Sequence, residues 1–124
     1  MNYISTRGEA PTLGFEDVLL AGLARDGGLY VPETWPKLAP EVIQSFAGKR
    51  FADVAVEVIL PFVGDALTRP ELHTMAEEAY ATFGHPAVTP LVETRPNRFI
   101  LELFHGPTLA FKDVAMQLLG NLFE

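Results

Sequence analysis

The chain has 124 residues, and sixteen acidic against nine basic residues give it a formal net charge of -7; that is enough for one modest domain burying roughly two thirds of its unfolded surface. Hydrophobic residues at 48% and charged residues at 20% exclude a disordered tail, the scattered basic residues offer no cationic stripe to a nucleic acid, and the absence of cysteine excludes disulfides and thiolate metal sites. Residues 1–7 lack a signal peptide's apolar stretch and the most apolar run, Val54 to Val63, is broken by Glu57 and Pro61, so no membrane partner is expected and the chain reads as soluble and cytoplasmic.

Tyr3-Ile4-Ser5-Thr6 favours a short strand, and Phe15, Val18, Leu19, Gly22 and Leu23 recur at helical spacing, which predicts a helix over about residues 14–24. Asp26-Gly27-Gly28 is a turn signal set by backbone geometry, and Leu29-Tyr30-Val31 reads as a brief strand ended by Pro32. Pro40 opens a short helix carrying Val42, Ile43 and Phe46; a second runs from Phe51 toward Pro61 and is closed by Gly64. Thr68-Arg69-Pro70-Glu71 is the clearest helix start, because threonine can cap, proline needs no donor, and Glu71 completes a capping box. Leu72, Met75, Ala76, Ala79, Tyr80 and Phe83 then line one face.

After Gly84 the pattern changes. Val88 to Val92 and Phe99 to Phe104 read as extended segments, the second apolar enough to suggest a buried sheet. Phe111, Val114, Ala115, Leu118, Leu119 and Leu122 mark an amphipathic helix still in register at Glu124, which reads as a helix cut from a longer α/β unit. The expected division is a mostly helical unit over residues 1–84 and the truncated opening of an α/β domain over residues 85–124. If the last helix face is uncovered, self-association through it is expected. His73 and His85 have no evident ligand set in the sequence, so they read as structural and no metal site is expected.

Leu101 to Asp113 reads as strand, loop and helix start, with Lys112 in the first helical turn. A cation there opposes the helix dipole by a few tenths of a kcal/mol to about 1 kcal/mol. Two readings stand. Lys112 can snorkel its head out of an apolar helix face, which spacing alone favours. Alternatively it is a Schiff-base lysine, a role that requires the neutral amine.

Leu-Glu-Leu-Phe-His-Gly-Pro-Thr-Leu-Ala-Phe-Lys-Asp, residues 101–113, is similar almost letter for letter to the cofactor-lysine motif of threonine synthases. Tyr3-Ile4-Ser5-Thr6-Arg7-Gly8 and Gly22-Leu23-Ala24-Arg25-Asp26-Gly27-Gly28-Leu29-Tyr30-Val31-Pro32 resemble the yeast-like branch of that family. The resemblance implies an α/β parent of the fold-type II class of pyridoxal-phosphate enzymes, with this chain mainly helical and holding a few short strands. It implies that Lys112 holds pyridoxal 5'-phosphate as a Schiff base and moves protons while O-phosphohomoserine and water become threonine and phosphate.

Other residues keep two readings each. Thr108 and His105 can meet the substrate, or act as a helix N-cap and a loop-packing imidazole. Phe111 can pack near the cofactor or fill the core, and the helix dipole alone accounts for Asp113. Ser5, Thr6 and Arg7 can face the cleft or simply end a strand. Family members are several times longer, and nothing here matches their cofactor-phosphate loop, so the implied partner is the remainder of the enzyme and the piece alone is expected to be catalytically silent. A stand-alone interaction module that has lost catalysis is the alternative.

Overall fold

The structure, a computed structural model, describes residues 1–123; Glu124, to which the sequence reading carries the last helix, lies outside the described residues. Strand β1 (Tyr3–Ser5) pairs antiparallel with β2 (Tyr30–Pro32), Tyr3 opposite Pro32 and Ser5 opposite Tyr30. Between them lies α1 (Phe15–Ala21), shorter than the predicted helix because Gly22, at φ 66°, turns the chain out of it. The turn before β2 is tied to β1 through Asp26, whose carboxylate accepts from the Ser5 hydroxyl at 2.8 Å, the Gly28 amide at 2.9 Å and the Glu9 amide at 3.0 Å. Desolvation opposes the charge on Asp26, but these hydrogen bonds hold its carboxyl below the ordinary carboxylate range.

Three helices follow before residue 84: α2 (Pro40–Gln44), α3 (Phe51–Val63) and α4 (Arg69–Ala81). Proline at the start of α2 and near the start of α4 gives up a donor that a first helical turn leaves unpaired in any case. The predicted capping box closes α4: the Thr68 side chain accepts from the Glu71 amide, and the Glu71 carboxylate accepts from the Thr68 amide at 2.8 Å. The Thr68 hydroxyl also donates to the Glu71 carboxylate at 2.7 Å, and this bond together with that from the Thr68 amide lowers the Glu71 pKa.

The core forms where α3 and α4 face each other. Ala52, Ala55, Val56 and Val63 come from α3, and Leu72, Ala76, Ala79 and Tyr80 from α4. Each set recurs at three- and four-residue intervals, so one stripe per helix is removed from water. Beyond β3 (Leu91–Arg95) and β4 (Arg98–Leu101), helix α5 (Asp113–Leu122) lays Leu118 into the same core. Polar ties fix the packing: the Tyr80 hydroxyl donates to the Val114 carbonyl at 3.1 Å, and the Asn121 amide donates to the Met75 carbonyl at 2.9 Å. At the other end, the Tyr3 hydroxyl donates to the Phe62 carbonyl at 2.7 Å and pins the small sheet to α3.

Two expectations change. The apolar segments after Gly84 form an exposed antiparallel hairpin instead of a buried sheet; every residue of β3 and β4 is exposed. The two strands pair only with each other while α3, α4 and α5 use their apolar stripes on one another, so among the described residues nothing covers either face of the hairpin. Val88, read as the start of an extended segment, turns instead at φ 58° and is buried in the helical core, which leaves Leu91 to begin the strand. Val88 and Leu118 thus share a core with α3 and α4, across the sequence position of Gly84.

Candidate functional site

Lys112 stands where an irregular loop, residues 102–111, meets α5. Its backbone, at φ -61° and ψ -24°, is the helix N-cap, and its carbonyl accepts from the amides of Ala115 at 3.1 Å and Met116 at 2.8 Å. The helix therefore begins one residue later than the predicted first turn, and Lys112 is held by the helix through its carbonyl while its side chain stays exposed. Among the described residues its amine makes no ion pair and no hydrogen bond with another side chain. Beside it opens an apolar groove of about 630 Å³, lined by Tyr80, Leu103, Phe111, Leu118 and Leu119 among others. Phe111 is exposed here, so it lines the groove and does not fill the core.

The loop leading to Lys112 is fixed from both sides. Leu109 takes the left-handed conformation at φ 61°, closed by its amide donating to the Gly106 carbonyl at 3.1 Å. A non-glycine residue there carries local strain that only surrounding contacts can hold. Asp113 supplies them. Its carboxylate, 97% of the residue being out of solvent since the exposed fraction is 3%, accepts from the Thr108 amide at 2.9 Å and the Thr108 hydroxyl at 2.8 Å. Burial disfavours its charge, yet the hydrogen bonds from Thr108, the Ala110 amide and Gln117 keep its pKa below the ordinary value. Gly106 lies against this carboxylate with no room for a Cβ.

Thr108 is therefore not the helix cap. It precedes α5 by five residues, and its hydroxyl is committed to Asp113 rather than to a helix amide. Asp113 in turn does more than complement the helix dipole. His105 packs in the loop half-buried, its Nε2 2.7 Å from the Glu102 carboxylate, its ring 5.0 Å from that of His85 and 4.6 Å from that of Phe104. Its carbonyl accepts from the Gly84 amide at 2.8 Å, which anchors the loop to the end of α4. Lys112, Thr108 and Asp113 thus form one local unit, with His105 at the far end of the same loop. Ser5 is buried against Asp26, while Thr6 accepts from the Leu29 amide at 3.0 Å and Arg7 donates to the Asp26 carbonyl at 3.0 Å, all within the turn network of the small sheet.

A second cluster was not evident in the sequence. His73 on α4 has two carboxylates beside it, its Nε2 2.9 Å from Asp53 on α3 and its Nδ1 3.9 Å from Glu77, which corrects the expectation that it has no ligand set nearby. The ligand atoms of these three residues all lie within 4.8 Å of one another. Arg50, however, is bonded to both carboxylates, at 2.8 Å to Asp53 and 2.6 Å to Glu77, so the cluster is a clamp between α3 and α4. The readable signals were the i,i+4 spacing of His73 and Glu77 and the i,i+3 spacing of Arg50 and Asp53.

A family model for the threonine synthase N terminus matches residues 2–80. Over its whole length the chain is 54% identical to a threonine synthase of Pseudomonas aeruginosa, of which it covers 26%. It is 44% identical to a threonine synthase of Schizosaccharomyces pombe, covering 24% of that protein. It superposes on the solved threonine synthase of Brucella melitensis, crystallised with pyridoxal phosphate bound, with a TM-score of 0.95 and 58% identity, over 98% of this chain and 26% of that one. The yeast threonine synthase structure gives a TM-score of 0.86 at 39% identity, with 98% of this chain and 25% of that chain covered. The chain spans about a quarter of the length of these relatives. Its mainly helical makeup with a few short strands is consistent with the expected α/β parent fold.

Proposed function

The chain belongs to the threonine synthase N-terminal family, and from that premise we propose that it serves as the N-terminal part of a threonine synthase in which Lys112 carries pyridoxal 5'-phosphate. What supports the role of Lys112 is its setting: an exposed amine free of side-chain partners among the described residues, at a loop-to-helix junction beside an apolar groove. The fit extends to the cofactor's aldehyde, which an amine can take up, and to its ring, which an apolar wall can flank. When bound, the cofactor supplies an electron sink that eases proton loss next to the substrate's amino-bearing carbon.

The work left to this chain is acid–base chemistry and orientation. The Lys112 Nζ would take protons from the substrate's α and β carbons and give protons to its α and γ carbons. Phosphate leaves from the γ carbon, water adds at the β carbon, and threonine is the product. Thr108 and His105 are the proposed substrate contacts from this loop, Thr108 through its hydroxyl oxygen, which can accept while it donates to Asp113, and His105 through the ring nitrogen that Glu102 leaves free.

In this reading residues 1–84 and 85–124 are the helical unit and the opening of the cofactor-binding unit, and the remainder of the enzyme covers the exposed apolar surface of Phe99, Ile100, Phe111 and Met116. The protein works in the cytoplasm. A non-catalytic interaction module would use the same apolar surface, and the activity of the intact gene product separates the two. That product is expected to form threonine and phosphate from O-phosphohomoserine, and Lys112→Ala to lower the rate by at least about a thousandfold. Wild-type rates in the variant would overturn the assignment, and threonine formation by residues 1–124 alone would overturn the expectation that the piece is silent.

A further inference from the structure

We propose that Asp113 is the positioning residue for Lys112, acting as a clasp that closes the preceding loop through Thr108; this rests on the reading of Lys112 as the cofactor lysine. Three observations converge on it. The carboxylate is almost fully buried although it is charged, and it takes both the amide and the hydroxyl of Thr108. Two donors from one residue fix that residue's orientation as well as its distance, which a helix-dipole role does not require.

The loop so closed contains a strained residue. Leu109 holds φ 61° and is 74% exposed, so it has little packing of its own to offset the conformation. Gly106 at the loop's start has no space for a Cβ against Asp113. The clasp thus spans Gly106 to Asp113, and Lys112 is the residue just inside it. Released from the clasp, residues 106–111 have no reason to keep Leu109 left-handed, and the amine swings away from the groove as the loop relaxes. A displacement of about 1 Å at a reacting atom is enough to cost up to about a hundredfold in rate.

The test compares Asp113→Asn, Thr108→Val and the double variant in the intact gene product, with and without pyridoxal phosphate. Deuterium exchange of the Thr108 to Lys112 amides in the cofactor-free protein reads the clasp directly. The share of borohydride-trapped pyridoxal phosphate found on Lys112 rather than on other lysines, followed across pH, reads the amine. We expect exchange to quicken by about tenfold or more, corresponding to the loss of hydrogen bonds to a charged group. The Lys112 share should fall in the same variants, the double variant should be no worse than either single one, and Thr108→Ser should restore both readouts.

A cooperative melt in each variant shows that the protein is folded. Wild-type exchange and wild-type labelling in Asp113→Asn overturn the proposal, as does a double variant whose losses add. A wild-type protein that shows no preference for Lys112 sinks the cofactor reading, and the exchange comparison still decides for or against the clasp.

Discussion

Gly106 is the residue where a single methyl group tests the site most simply. A Cβ there overlaps the Asp113 carboxylate, so Gly106→Ala must either displace Asp113 or shift the backbone. Overpacking of this kind costs about 1–3 kcal/mol, to be read as a lowered urea midpoint, whereas the same change at Gly120, whose Cβ position is open, should be neutral or stabilising. The motif around Lys112 was legible from the sequence because it is contiguous. The clasp was not, because Thr108 and Asp113 are five residues apart across a loop whose path depends on Leu109 being left-handed, a conformation no propensity assigns to leucine. The His73 cluster was hidden for a different reason: Asp53 and His73 lie on separate helices and meet only once α3 and α4 pack.

Among the elements, α4 owes its start to the capping box. Thr68→Ala removes the acceptor for the Glu71 amide, and a loss of about 1 kcal/mol in unfolding free energy is expected from urea titration. The α3–α4 clamp predicts an acid dependence. Hydrogen bonding from Arg50 first and His73 second holds the Asp53 carboxyl down from 3.8 to about 2. Because the folded pKa is the lower one, the contribution is present above about pH 4 and is lost as pH falls through 2. Thermal melts of Asp53→Asn should therefore show a shallower fall in stability between pH 4 and pH 2 than the parent chain; an unchanged slope would show that the clamp contributes nothing. The pair is solvent-accessible, so the effect is modest. The helices were readable because their caps and apolar spacing are local signals. The hairpin misled, since an apolar run signals strand without telling whether anything covers it, and Phe99 to Leu101 are as apolar as a central strand yet exposed here.

In the molecule as a whole, the helical core serves folding and the exposed apolar side chains outside it are available for association. Leu72, with no exposed surface, lies at the centre of that core, and Leu72→Ala should cost about 2–5 kcal/mol in a denaturant titration, a large share of what a domain this size can hold. The exposed side chains of Phe99, Ile100, Phe111 and Met116 predict concentration-dependent self-association of the isolated chain; light scattering that reports a monodisperse monomer at high concentration would count against it. Whether Lys112 carries the cofactor is decided by borohydride reduction of the intact, pyridoxal-phosphate-loaded gene product followed by peptide mapping. The reduced cofactor is expected on the peptide containing Lys112 and is expected to be lost in Lys112→Ala; stoichiometric modification of a different lysine, with Lys112 unmodified, would overturn the assignment.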